Sequence, residues 1–262
     1  MNIIQSFIKS LYSPSYTGRF RFKGIGKTIG YIFFLMFIAS IPAAIILTNS
    51  IWTGVNQLET ALANDKIPDF EINDEGLQSL ENEDVHLSLE GKNGETIIFD
   101  TKGETTNIDL QQNKKVTAFL QEELVFKNNG ETQTFPYDQI GGFNVSKEDL
   151  NSYVSAVDGL LLLVVPVVLL FMYLLSTALK FIGIFSLSVF GLLIKKASPI
   201  PLSYRQLWIL SAHAVTLPTI ALTLLNSLPF QIPWSFSIYW LIAFIWLYLI
   251  FTKLPIPKKK TS

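Results

Sequence analysis

Residues 159–194 read GLLLLVVPVVLLFMYLLSTALKFIGIFSLSVFGLLI, with Lys180 as the only charge. A helix needs about 20 apolar residues to cross the roughly 30 Å hydrocarbon layer of a membrane. This run is too long for one simple crossing, and its reading decides whether the chain spans a membrane four times or five. Three further runs read as single crossings: Ile29–Leu47 without a charge, Leu207–Leu225 with His213 as its only titratable group, and Trp234–Phe251. A positive mean hydropathy and 49% hydrophobic residues point the same way, since both are high for a soluble protein.

Charge in the connecting segments decides between the two counts, because Lys and Arg near span ends stay on the cytoplasmic side. Lys9, Arg19, Arg21, Lys23 and Lys27 precede the first apolar run, Lys195, Lys196 and Arg205 follow the long one, and Lys253, Lys258, Lys259 and Lys260 follow the last. A single crossing by the long run places all three groups inside; two crossings would leave the second and third groups outside. Four spans with both termini cytoplasmic are therefore expected, five being the alternative. At 1.5 Å per residue the run would make a helix of about 54 Å, so part of it must leave the apolar layer. Leu160–Leu179 is expected to cross, Lys180 to snorkel to the inner headgroups, and Phe181–Ile194 to bend near Gly183 into an interfacial or re-entrant helix. A straight protruding helix is the alternative.

All 21 acidic residues lie between Glu59 and Asp158, where 7 basic residues leave a net charge of −14, while the rest of the chain holds no carboxylate. Two different solvents are implied. The acidic stretch opens with a helical extension, Ile51 to about Ala63, and continues with strand signals. Val85, Leu87 and Leu89 alternate before Asn93-Gly94, with Ile97 and Phe99 after it; Leu124–Phe126 precede Asn129-Gly130, with Phe135 and Tyr137 after it. Asn-Gly is the preferred pair for a tight hairpin. Further strands are expected around Phe70–Ile72, Ile108–Leu110 and Val116–Leu120, and Ser146 with Asp149 forms a capping box that opens the helix of the long run.

The fold class is thus a membrane protein, an α-helical bundle of four transmembrane helices, or alternatively five, with an inserted small α+β extracytoplasmic domain. Its expected divisions are a cytoplasmic interfacial segment 1–27, a first span 28–50, the acidic domain 51–157, the long apolar segment 158–196 and a cytoplasmic loop 197–206. Span 207–225, external turn 226–233, span 234–252 and a basic cytoplasmic tail 253–262 follow. The first run is read as an uncleaved anchor, since its apolar residues continue past the small stretch Ala39–Ala44 to Leu47.

Ahead of that anchor, Ile3, Ile4, Phe7, Ile8, Leu11 and Tyr12 repeat at helical spacing opposite Asn2, Gln5, Ser6, Lys9 and Ser10, until Ser13-Pro14 stops the pattern. Such a helix can lie in the inner headgroup plane, and Arg19, Arg21, Lys23 and Lys27 with their interleaved Phe20 and Phe22 make a candidate anionic-lipid anchor. Membrane seating is the plainer reading of the same residues. Gly24-Ile25-Gly26-Lys27-Thr28 imitates the end of a phosphate-binding loop, but Arg21 stands where glycine is required and no strand precedes it, so nucleotide binding is excluded.

Catalytic constellations are sparse. The two histidines, His86 and His213, fall in different solvents and cannot share a site. The carboxylates from Asp69 to Asp84 fail the calcium-loop order, with Asp74 in the glycine position and Leu80 in the place of the closing glutamate; a solvated acidic face is the reading. Neither a Gly-x-Ser-x-Gly elbow nor a zinc-type His-Glu-x-x-His occurs, and cysteine is absent. No catalytic residue, metal site, cofactor or nucleic-acid partner is expected. Within the membrane, His213, Thr216 and Lys180 form the candidate polar site, since polar groups there are costly to keep; an interhelical hydrogen bond is the favoured role for His213 over a proton or ligand group.

Lys9-Ser10-Leu11-Tyr12-Ser13-Pro14, Arg21 to Thr28, Ile97-Ile98-Phe99-Asp100-Thr101, Ser203 to Trp208 and Leu217-Pro218-Thr219 together resemble a bacterial membrane family called domain of unknown function 1189, over nearly the whole chain. Some members carry a maltodextrin-utilisation label, and the resemblance implies an accessory role beside carbohydrate uptake, without catalytic residues to carry over. The C-terminal helices also resemble the Yip1-like membrane proteins, which would favour five spans. The functional expectation is a membrane-anchored binding or regulatory module, whose partners are the lipid bilayer and a transporter or other membrane protein. A small transporter or lipid-handling protein acting through its spans is the alternative.

Overall fold

The computed structural model describes residues 2–73, 75–80, 85–90, 94–106, 110, 112–128, 131–140, 144–228 and 233–254. They form two compact units, residues 1–46 with 167–262, and residues 47–166.

The first unit is helical. Its elements are α1 (Ile3–Tyr12), α2 (Pro14–Thr17), a 3-10 turn (Gly18–Phe22), the first part of α3 (Ile25–Leu62), most of α4 (Lys147–Ile194), α5 (Tyr204–Ala214), α6 (Thr216–Asn226) and α7 (Ser235–Thr252). Among the described residues, four helical stretches are long and apolar enough to cross a membrane: Ile25–Leu62, Gly159–Ile194, Tyr204–Asn226 and Ser235–Thr252. Only 6% of the most apolar window of α4 is buried within the protein. Leu170, Phe171, Leu174, Leu175 and Ile182 are exposed along it. Such a surface is an aggregation liability in water and the ordinary lipid-facing surface of a bilayer protein. The chain is a membrane-embedded protein.

The long run is one helix, not two. A fifth crossing would need a reversal within residues 159–194, and the helix of 48 residues continues through them unbroken. The expected break near Gly183 is therefore corrected. Ile184, Leu187, Ser188 and Gly191 are all buried, at i, i+3, i+4 and i+7, so one face of residues 181–194 is held against the bundle instead of peeling away from it. The third crossing does break, at Val215 between α5 and α6. Pro218 lacks the N–H that would bond the Ala214 carbonyl and crowds that carbonyl, which ends α5 one residue before Val215.

The second unit is α+β. Strands β1 (Phe70–Asn73), β2 (Gly76–Ser79) and β8 (Val145–Ser146) form a small sheet in the order β2-β1-β8; β3 (His86–Glu90), β4 (Thr96–Asp100), β5 (Lys115–Phe119), β6 (Glu123–Asn128) and β7 (Glu131–Pro136) form a five-stranded sheet in sequence order. Both expected hairpins are present, with Leu89 opposite Ile97, Leu87 opposite Phe99, and Leu124 opposite Phe135. Asn93, Asn129 and Gly130 of their turns lie outside the described residues, as do Ile108 and Asp109. Strands β2 and β8 and the parallel pairing of β4 with β5 were not anticipated. One face of the large sheet packs its Ile97, Phe99 and Phe119 against Ala61 and Leu62 of α3 and Val154 of α4; the other buries Ile98, Val116, Ala118 and Val125. The capping box forms as expected, Asp149 N–H donating to Ser146 Oγ at 3.1 Å while Ser146 N–H donates back to Asp149 Oδ2 at 3.1 Å.

Gly76 turns the β1–β2 hairpin at φ +105°, and a Cβ there would run into the Gln121 carbonyl oxygen, which accepts the Leu77 N–H at 2.9 Å. Gly76→Ala is expected to cost about 1–3 kcal/mol, from a strained backbone plus the displaced carbonyl, and to lower the thermal midpoint of this unit.

The buried Asp100 ends β4 and accepts the backbone N–H groups of Lys102, Gly103 and Thr105 at 2.9, 3.0 and 2.6 Å, with His86 Nδ1 at 3.5 Å. Burial pushes its carboxyl up, but Thr105, Lys102 and the His86 charge together outweigh burial and hold it below the usual 3.8. A depressed carboxyl stabilises fully above the unfolded value and loses that contribution as pH falls through the folded one. Acid unfolding below about pH 4 should therefore steepen through Asp100, and Asp100→Asn should flatten that limb while lowering stability at neutral pH, as circular dichroism across pH 2–7 can show.

Candidate functional site

The polar residues of the helical unit meet around His213. On α1, Ser6 and Ser10 are buried, while Ile4, Ile8 and Tyr12 are exposed. The helix is amphipathic as read, but the strip packed into the protein is made of Ser6, Ser10 and the partly buried Phe7, while Asn2 and Gln5 stay exposed. Small hydroxyls tolerate this by bonding their own helix: Ser6 Oγ donates to Asn2 O at 2.9 Å and Ser10 Oγ to Ser6 O at 2.8 Å. Ile3, Ile4, Ile8 and Tyr12 are left exposed, a surface suited to lipid.

Ser10 Oγ also lies 3.1 Å from His213 Nδ1. Which of the two donates follows the ring tautomer: a proton on Nδ1 is given to Ser10 Oγ, and a proton on Nε2 leaves Nδ1 to accept from it. Nε2 is buried and has no hydrogen-bond partner. The ring is packed between Tyr31 and Phe20, with centroids at 4.1 and 4.6 Å, and Tyr31 OH shares a 2.6 Å hydrogen bond with Thr216 Oγ1. Lys23 donates to Ser6 Oγ at 2.6 Å and stands 4.1 Å above the Phe20 ring. Burial, and then the charge of Lys27, pushes its amine down to about 8. Trp246 Nε1 donates to Ser10 O at 3.1 Å, tying α7 into the same cluster.

The structure thus unites His213 and Thr216 with Lys23 and Phe20, which the sequence placed in a separate anchor, and adds Ser6, Ser10 and Tyr31, which were not singled out as site residues. It separates Lys180, whose amine donates to Thr219 Oγ1 and Tyr239 OH, each at 3.1 Å, over the Tyr239 ring at 4.5 Å. The four basic residues of the candidate lipid anchor divide as well. Arg21 is buried and donates to Gly18 O at 2.9 Å, Lys23 turns inward, Arg19 stacks 4.9 Å over Tyr16, and Lys27 is exposed. No carboxylate exists in residues 1–46 or 167–262 to pair any of them.

This cluster ties α1, α3, α5, α6 and α7 together, with each contact made by a neutral group or a single cation. It is the chemistry of interhelical adhesion. Unpartnered polar atoms beside open space occur in the second unit, where Ser50 and Gln57 of α3 and Phe126, Asn128, Glu131 and Gln133 of β6–β7 line a cleft of about 280 Å³ that includes its open mouth. A Cβ on Gly54, on the same wall, would meet nothing. Gln57 Nε2 and Asn128 Oδ1 are buried there without hydrogen-bond partners. Among the described residues, no group of three or more His, Asp or Glu side chains is placed to hold a metal ion. Asp74, Glu81, Glu83 and Asp84 of the acidic run lie outside them.

A family model described as "Protein of unknown function (DUF1189)" matches residues 4–251, a span that takes in both units. No curated protein and no solved structure matches the chain.

Proposed function

The chain belongs to the DUF1189 family, and we propose that it is a membrane-anchored recognition module: the acidic unit binds a protein partner outside the cytoplasmic membrane, and the helical unit holds it there beside a carbohydrate transport system. The observation that carries this reading is the partition of charge. Every carboxylate falls within residues 47–166, a folded unit with its own core, and the helical unit has only cations. Three basic groups flanking the spans favour cytoplasmic termini and an extracytoplasmic acidic unit.

The chain has no cysteine, so single cysteines report cleanly. Introduced at Asn129, Lys196 and Lys259, they should label from outside only at 129. Deleting residues 66–145 should abolish crosslinks to the partner and lower maltodextrin uptake by cells. A deletion that inserts stably and leaves both unchanged sinks the reading. Lys180 favours a second one, a small transporter or lipid-handling protein acting through its spans: a lone cation on a transmembrane helix, without a carboxylate in its unit, is a costly feature to keep. Unchanged uptake in the deletion, together with loss of uptake in Lys180→Met, would favour that alternative.

A further inference from the structure

We infer that the free edge of β7, with the cleft beside it, takes up an extended basic polypeptide segment as a sixth strand of the large sheet. The inference rests on the reading of the acidic unit as the recognising part, and names the class of partner. β7 ends the strand order, pairing with β6 alone among the described residues, and Glu131–Phe135 are exposed along its length. In an antiparallel ladder alternate residues exchange both bonds with the neighbour, and the residues between them point N–H and C=O outward. Counted from the Asn128–Glu131 pair that closes the hairpin, Thr132 and Thr134 are the outward set. Pro136 has the same parity, so the N–H that proline lacks is one the ladder does not use.

Open edges are usually guarded by lysine, proline or a bulge within the strand. Here Thr132, Gln133 and Thr134 are uncharged, and the proline comes only at the strand's end. Beside this edge, Glu131 and Gln133 of β7 line the cleft into which Gln57 Nε2 and Asn128 Oδ1 bring an unsatisfied donor and an unsatisfied acceptor. An incoming group that offers both an acceptor and a donor suits this lining best. Peptide groups and amide side chains do so; a lipid chain does neither, and an anion meets Glu131 within a unit of net charge −14. Strand addition supplies main-chain bonds along the edge and points alternate side chains toward the cleft, with basic residues favoured by the field.

The test uses the full chain in nanodiscs. A bead library of random octapeptides should yield binders enriched in Lys and Arg and in β-branched residues. Methylating alternate backbone nitrogens of a selected peptide should weaken binding at least tenfold in one register and leave it unchanged in the other. Thr134→Pro, which removes an outward N–H and no ladder bond, and Thr132→Lys, which leaves the backbone intact, should each weaken binding at least tenfold at an unchanged thermal midpoint. Gln57→Ala should weaken it by a smaller factor. An absence of binders, or binding indifferent to methylation and to Thr132→Lys, overturns the inference. Partner crosslinks that vanish on deleting residues 66–145 yet persist in Thr132→Lys would overturn it while leaving the recognition reading standing; crosslinks that survive the deletion would remove both.

Discussion

Replacing Phe119 by alanine is expected to destabilise the acidic unit strongly while leaving the helical unit inserted. Phe119 is wholly buried on β5, with ring centroids 5.4 Å from Phe70 and 6.3 Å from Phe99, which lie 5.5 Å from each other. These three rings join the small sheet to the β4–β5 pair. Truncating a buried phenylalanine costs about 3–5 kcal/mol, a large share of the roughly 5–15 kcal/mol that holds a domain folded. Proteolysis of the full chain in mild detergent, across a urea series, should show the region 66–145 cut at much lower urea in Phe119→Ala, with the fragments carrying α5 to α7 still protected. Phe119→Leu keeps most of the volume and should fall between the two. An unchanged midpoint in the alanine variant would contradict the packing described.

His213→Ala should release residues 3–22 from the bundle. Two effects are lost together, the packing against Phe20 and Tyr31 and the hydrogen bond to Ser10, and their sizes differ. Interhelical polar contacts in membranes average about 0.6 kcal/mol, whereas large-to-small changes at packed positions cost about 2–5 kcal/mol. His213→Phe keeps a ring and removes the bond, so it should retain most of the stability that His213→Ala loses. Two readouts follow from the neighbours. Arg21 becomes a trypsin site once it leaves its buried position, and Trp246 changes its fluorescence when Ser10 O no longer accepts its indole N–H. If both variants behave alike, the hydrogen bond and not the ring packing holds the segment.

What could be read from the residues alone was whatever local pattern controls. Apolar length gave the spans, and alternation at Leu87, Leu89, Ile97 and Phe99 gave a hairpin whose strands are adjacent in sequence. The parallel pairing of β4 and β5 joins strands separated by residues 101–114, and no short-range periodicity encodes it. Strand β2 escaped because Gly76-Leu77-Gln78-Ser79 has little strand propensity and is held by pairing with β1. The helix α1 was legible as amphipathic, but that Ser6 and Ser10 would be its buried residues was not, because their hydroxyls bond their own helix and so can be packed inside. Likewise His213 and Lys23 are brought into one cluster by residues far apart along the chain. Seven of the acidic-run and turn residues that the sequence reading used fall outside the described residues, Asp74 and Asn129 among them.

The hydrogen bond between His213 and Ser10 joins residues 203 positions apart, and that from Trp246 to Ser10 joins residues 236 apart. On a ribosome adding about 5–20 residues per second, α1 emerges roughly 10–40 s before its partners on α5 exist. Until then Ser10 has only its own helix, water or headgroups to bond, while the isoleucines of α1 already prefer the bilayer. The last contacts of the bundle to form are thus those of the segment translated earliest. A nascent chain stalled before Tyr204 would carry α1 on the membrane surface with Ser10 open to solvent, and the closure of that face over His213 would mark a chain whose helical unit is fully assembled.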